Sequence, residues 1–175
     1  MSVHFQGIRQ VGYVVKDIEA AMNYWVKAVG VGPWFYRKVV DTTAFNYYGK
    51  PSAFPELSIA VANSGDLQIE LIQQHNDAPS LYLDTLAKNG EVAQHIAYWT
   101  LDEFDAYCEQ LKATGHIEGH SGRMGQRGRF AYFVHPDCPS ALVEVSELQG
   151  GKAEYFEKVK QAAVQFNGAD GVIPL

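Results

Sequence analysis

Apolar and polar residues alternate through GIRQVGYVV, residues 7–15, a period of two that predicts a strand with one buried face. An aspartate, Asp17, follows where it can cap the next segment; a helix-length amphipathic stretch comes after it and stops at Gly30. The same succession recurs further along the chain. RQVGYVVKDIEAAMNYWVKAVG lies over QHIAYWTLDEFDAYCEQLKATG with Gln10 on His95, Tyr13 on Tyr98, Asp17 on Asp102 and Gly30 on Gly115. Repetition of a whole strand–helix unit argues for two related modules.

Each module continues in strand-like segments, rich in β-branched and aromatic residues. The first runs through PWFYRKVV, ELSIAVAN and DLQIELIQ; the second passes a glycine-rich turn and continues through RFAYFVHP and ALVEVSEL. The expected fold class is α+β: two βαβββ modules, residues about 5–75 and 92–148, related by a pseudo-two-fold axis and forming a curved mixed sheet around a cleft. Residues 79–89 read as a connecting helix, with Pro79 and Ser80 at its start and Gly90 at its end. Residues 1–150 then form one domain. In residues 151–175, Tyr155, Phe156, Val159, Ala162, Ala163 and Phe166 share one face of an amphipathic C-terminal helix, and a loose or docking tail follows from residue 168.

Composition narrows the function. The chain has 175 residues, 47% of them hydrophobic, enough for a core. A net charge of −6 supplies no basic stripe, so nucleic acid is not an expected partner. No apolar run is long enough for a spanning helix and no export signal is visible, so no membrane partner and a cytoplasmic location are expected. Cys108 and Cys138 read as reduced small hydrophobes.

Overlaying LQIELIQ on ALVEVSE sets Glu70 opposite Glu144. Gln10 and Glu70 then come from the first and last strands of one module, His95 and Glu144 from the equivalent strands of the other, and a pseudo-two-fold axis would bring the four together. Three oxygen donors and one imidazole suit a divalent ion such as Zn²⁺, Ni²⁺, Co²⁺, Mn²⁺ or Mg²⁺. Two carboxylates balance its charge, and about two octahedral positions stay open for a small-molecule substrate.

These residues resemble the vicinal oxygen chelate superfamily, over roughly residues 5–148. FVHPDCPSALVEV and the APSLYLDTLAKNG helix are similar to its methylmalonyl-CoA epimerase branch, whereas the Gln/Glu/His/Glu set is similar to some glyoxalase I enzymes. The resemblance implies metal binding by Gln10, Glu70, His95 and Glu144. It also implies removal of a proton α to a carbonyl, with Glu144, or Glu70, as the base. Isomerase, epimerase or lyase chemistry on a bulky apolar or thioester substrate is expected, with a lactoylglutathione lyase or a non-enzymatic, bleomycin-resistance-like binding protein as alternatives. Gln10 breaks the two-histidine, one-carboxylate triad of extradiol dioxygenases. Glu56 is a candidate second acid, Trp34, Phe35 and Trp99 are expected to wall the substrate pocket, and Arg129, in a basic loop with Arg123 and Arg127, to clamp an anionic group. The apolar stripe of the C-terminal helix is expected at or near a homodimer contact.

Overall fold

The computed structural model describes residues 2–175. The first module contributes strands β1 (Gln10–Val14), β2 (Trp34–Val40), β5 (Leu57–Ser64) and β6 (Leu67–Gln74), and helix α1 (Ile18–Tyr24), which continues in one π-helical turn, Trp25–Val29. Asp17 caps α1 by accepting a hydrogen bond from the Ala20 amide at 2.9 Å. Helix α2 (Leu81–Asn89) leads to the second module: β7 (Val92–Thr100), α3 (Phe104–Ala113), β8 (Ile117–Met124), β9 (Arg129–His135) and β10 (Cys138–Glu147). Asp102 does not cap α3; Glu103 occupies the cap position without a side-chain bond.

With β3 (Thr42–Tyr47), β4 (Lys50–Pro51) and β11 (Val172–Pro174), one sheet runs through both modules in the order β11-β2-β5-β6-β1-β7-β10-β9-β8-β3-β4. At its centre β1 pairs with β7 antiparallel, and each is flanked by a parallel partner, β6 on one side and β10 on the other. Gln10 opposes Ala97 while Gly12 opposes His95. The offset that carries Gln10 onto His95 carries Gly12 onto Ala97, so the pairing is its own image under the pseudo-two-fold.

The remaining strands correct the sequence reading. Thr42–Tyr47 (β3), with the short β4 (Lys50–Pro51), leaves β2 and pairs antiparallel with β8 at the far edge of the other module. Ile117–Met124, read within the glycine-rich connection, is a strand, and Arg123 in it faces Thr43. Of the two expectations for the tail, docking is the one seen: β11 (Val172–Pro174) adds to β2 in parallel. Pairing with a distant edge leaves little trace in local alternation, which is why these strands were not legible.

The sheet has two faces. On the outer one α1 packs on a core containing Trp34, Ala60, Ile69 and Leu71, and α3 on one containing Phe133 and Val145. On the inner face Val14, Val40, Ile72, Phe130, Tyr132 and Leu142 meet Leu81 and Tyr82 of α2. Helix α4 (Lys152–Val164) crosses this inner side and buries Val159 against Phe35 and Val61. Complete burial of one such side chain stabilises by about 1.5–3 kcal/mol. Phe156 is buried as well, so much of the stripe expected at a dimer contact is covered within its own chain. Cys108 is buried and Cys138 exposed, both free.

Candidate metal centre and its cavity

Two rows of residues cross the middle of the sheet. One runs Val61, Glu70, Gly12, His95, Leu142; the other runs Gln68, Gln10, Ala97, Glu144, Tyr132. In each row a carboxylate is separated from a residue of the other module by a small side chain or none. Gly12 leaves the necessary space. A Cβ there would lie 1.8 Å from His95 Cε1 and 2.3 Å from Nε2, so the imidazole occupies the volume a side chain would take.

His95 Nε2 stands 3.4 Å from Glu70 Oε2 and 3.3 Å from Glu144 Oε2, and one donor atom from each of the three residues lies within 4.8 Å of the others. Ligand atoms held about 2.0–2.2 Å from one cation are separated from each other by roughly 3.0–3.5 Å, so this spacing suits a shared ion. Glu144 Oε2 is buried and meets no protein cation but the His95 imidazole, in ion-pair range when protonated, so an ion bound there would take the place of that proton. Gln10, 2% exposed, donates from Nε2 to Gln68 Oε1 at 2.8 Å, which leaves its carbonyl oxygen as the free donor atom. Residues and donor chemistry therefore fit a divalent ion.

A β-bulge fixes the imidazole. Gly12 opposes His95 and Tyr13 opposes Ala93, so Gln94 is the extra residue of β7, and such bulges re-aim neighbouring side chains. Gln94 donates from Nε2 to Leu81 O at 2.7 Å and to Thr85 Oγ1 at 3.0 Å, which orients its Oε1 to accept from His95 Nδ1 at 3.2 Å. Nδ1 carries the hydrogen, and Nε2 is the atom offered to the carboxylates. Helix α2 thus supports the site from behind.

The electrostatics of the trio are strongly coupled. Burial alone lowers the His95 pKa, but hydrogen bonds and charge from Glu144 and Glu70 outweigh it and push the imidazole up to about 9. Burial raises Glu70, whereas for Glu144 the opposing burial is overcome by His95, Lys152 and Ser146, and the carboxyl is held down at about 2. Without an ion the centre is an imidazolium between two acids of unlike strength.

Beside the trio lies a cavity of about 60 Å³. Val40, Ile59, Val61, Met124, Phe130 and Phe156 supply apolar wall; Gln10, Glu70 and Glu144 reach it from the sheet, and Arg37, Arg127 and Lys152 from its other sides. The expected wall residues are elsewhere. Trp34 is fully buried on the outer face, its Nε1 donating to Val31 O at 3.0 Å. Phe35 is sealed beneath α4, and Trp99 stacks on Phe156 with centroids 4.5 Å apart. Arg129 is held outside by Glu147 and Asp105, each at 2.8 Å. Glu56 is exposed. Of the basic loop, Arg127 lines the cavity. Tyr82, Tyr132 and Lys152 were missed, the tyrosines because any aromatic in an alternating strand or helix reads as core.

A profile of the Glyoxalase/Bleomycin resistance protein/Dioxygenase superfamily matches residues 9–133. Among solved structures, methylmalonyl-CoA epimerase from Mycobacterium tuberculosis is similar at 20% identity and a TM-score of 0.57, over 88% of this chain and 96% of that one. A Q60A form of the Streptomyces coelicolor methylmalonyl-CoA epimerase, in complex with 2-nitronate-propionyl-CoA, is similar at 22% identity and a TM-score of 0.52, over 83% and 99%. A hypothetical protein from Bacillus halodurans C-125 shares 18% identity at a TM-score of 0.54, over 82% and 95%. Comparison with curated proteins gives no match. The paired modules, the sheet that joins them and the profile spanning most of both agree: the chain belongs to the Glyoxalase/Bleomycin resistance protein/Dioxygenase superfamily.

Proposed function

We propose that the protein is a metal-dependent isomerase or epimerase that moves a proton α to a carbonyl, with Gln10, Glu70, His95 and Glu144 holding one divalent ion. The observation that carries this reading is the convergence of donor atoms from Glu70, His95 and Glu144, all within 4.8 Å of one another, at the edge of a cavity with an apolar wall. Bound there, the ion would act as a Lewis acid on a substrate oxygen. Glu144, ionised as a metal ligand must be, would take the α-proton. Glu70, from the opposite module, would leave the ion when protonated and return that proton from the other side, as inversion at carbon requires. The apolar wall keeps water from the reacting carbon and seats an apolar or thioester-bearing body.

The test begins with metal. After gentle purification the chain should hold one divalent ion, and His95→Ala should lose it with little change in circular dichroism. Incubation with 2-methyl acyl thioesters, 2-hydroxy ketones and glutathione hemithioacetals in D₂O should place deuterium at the α-carbon of at least one compound. Exchange that continues after removal of the metal overturns the mechanism and favours a ligand-binding protein.

A further inference from the structure

Lys152, the first residue of α4, is 7% exposed and lies against the cavity. Among the described residues its ammonium makes one hydrogen bond, to Ser146 Oγ at 2.5 Å, and no ion pair. An ammonium has three protons to donate, so two are left without a protein acceptor in a place closed to bulk water. A buried charge in that condition is costly unless something pairs with it.

Glu144 feels the Lys152 charge, but among the described residues neither acid of the centre forms an ion pair with it. Glu70 and Glu144 carry two negative charges between them, which one divalent ion, or in its absence the His95 imidazolium in part, already answers. Lys152 then remains as surplus positive charge, and Arg37 and Arg127 on the cavity wall add to it. Arg127 is fixed relative to Lys152 by backbone contacts: Gly128 N donates to Gln149 O at 3.2 Å, and Gly150 is packed against the Arg127 backbone. Three cations that line one cavity, whose two acids are matched by the ion, form a site for an anion.

Building on the metal-dependent reading above, we propose that Lys152 and Ser146 seat a carboxylate carried by the substrate, distinct from the oxygens that face Glu70 and Glu144. The two unmatched protons of Lys152, held in place by its bond to Ser146 Oγ, match the two oxygens of a carboxylate. Position follows from β10. Ser146 is two residues beyond Glu144 on the same face of the strand, about 7 Å along it, so three to four carbon atoms separate the two recognised ends. Arg37 and Arg127, half-buried at the rim, draw the anion in and are screened more than Lys152. The substrate class is an acyl compound with an apolar middle and a free carboxylate.

Glutaric monohydroxamic acid and its methyl ester separate these features, because both present vicinal oxygens and only the acid has the distal charge. Titrated calorimetrically into the full chain loaded with Zn²⁺, the acid should bind about tenfold or more tightly than the ester. Lys152→Met should abolish that preference without changing zinc stoichiometry or ester affinity, and Lys152→Arg should keep most of it. Ser146→Ala, a milder change, should reduce the preference about threefold and serves if the methionine variant does not fold. Equal binding of acid and ester, or a preference that survives both Lys152→Met and Ser146→Ala, overturns the carboxylate seat while leaving the metal centre standing. A chain that takes up no zinc, or binds neither compound, overturns the proposed function and this inference with it.

Discussion

The two halves of the sheet place the same backbone around the centre and give it different chemistry. In the first, Gln10 and Glu70 have amide and aliphatic neighbours, Gln68 and Val61. In the second, His95 and Glu144 stand beside Tyr132, Ser146 and, beyond them, Lys152. The contrast appears in the acids themselves, with Glu70 raised by burial and Glu144 held down at about 2 against it. Symmetry of fold sets where the donors stand, and the neighbours decide which of two equivalent carboxylates stays ionised.

The sharpest way to break this comparison is to neutralise the acids one at a time. Glu144→Gln should slow α-proton exchange by about 10²–10⁴-fold, since an amide still coordinates through oxygen but is a poor base. Glu70→Gln should leave exchange measurable and suppress inversion at the α-carbon, read by NMR in D₂O alongside the stereochemistry of the product. Equal losses from both variants would mean that the halves are chemically interchangeable.

Next in size is the space between the halves. Gly12→Ala puts a methyl group into the volume of the His95 ring and should weaken metal binding by about 100-fold or more. Its counterpart, Ala97→Gly, should retain stoichiometric metal and cost about 0.5–1 kcal/mol in urea unfolding. Metal retained at full affinity in Gly12→Ala would show that His95 is not a ligand.

A gentler probe is pH. In the metal-free chain the His95 pKa is raised to about 9 from about 6.5 in an unfolded chain. Its ion pairs therefore stabilise the fold fully below about pH 6.5, and that contribution is lost as pH rises through about 9. A metal ion competes for the same nitrogen, so its uptake at pH 7.5 should release about one proton, and its affinity should increase with pH until His95 has titrated. Calorimetry in buffers of different ionisation enthalpy measures the release; none would mean that the imidazole is already neutral.

The smallest effect is expected at Arg129, whose side chain is one-third exposed between Glu147 and Asp105. Arg129→Gln should cost at most about 1 kcal/mol in unfolding and leave metal and ligand binding unchanged.

Much of this was legible because the repeat supplies its own ruler. Gln10 and His95 share a position in two copies of one pattern, and Glu70 and Glu144 interrupt apolar runs at matching points, so the four candidates could be named before their distances were known. What escaped depends on partners far along the chain. Thr42–Tyr47 is a strand through its pairing with β8, and Gln94 orients His95 because a bulge interrupts the ladder. Lys152 opens an amphipathic helix after two glycines, where a lysine ordinarily reads as solvated; its burial comes from the direction in which α4 crosses the sheet. The aromatic clusters misled for a related reason, since ring surface marks a core wherever the core lies, and Trp34 found it on the outer face.

Helix α4 follows the last strand of the paired modules and returns to them through β11. The four candidate ligands are carried by β1, β6, β7 and β10, while Lys152, Tyr155 and Phe156 enter the cavity from α4 and Arg127 from the turn after β8. The candidate ligands thus sit on strands, while part of the surface that faces a bound ligand comes from a separate C-terminal stretch. A grafted or redesigned C-terminal segment could redirect selectivity while the candidate ligands in the strands stay in place.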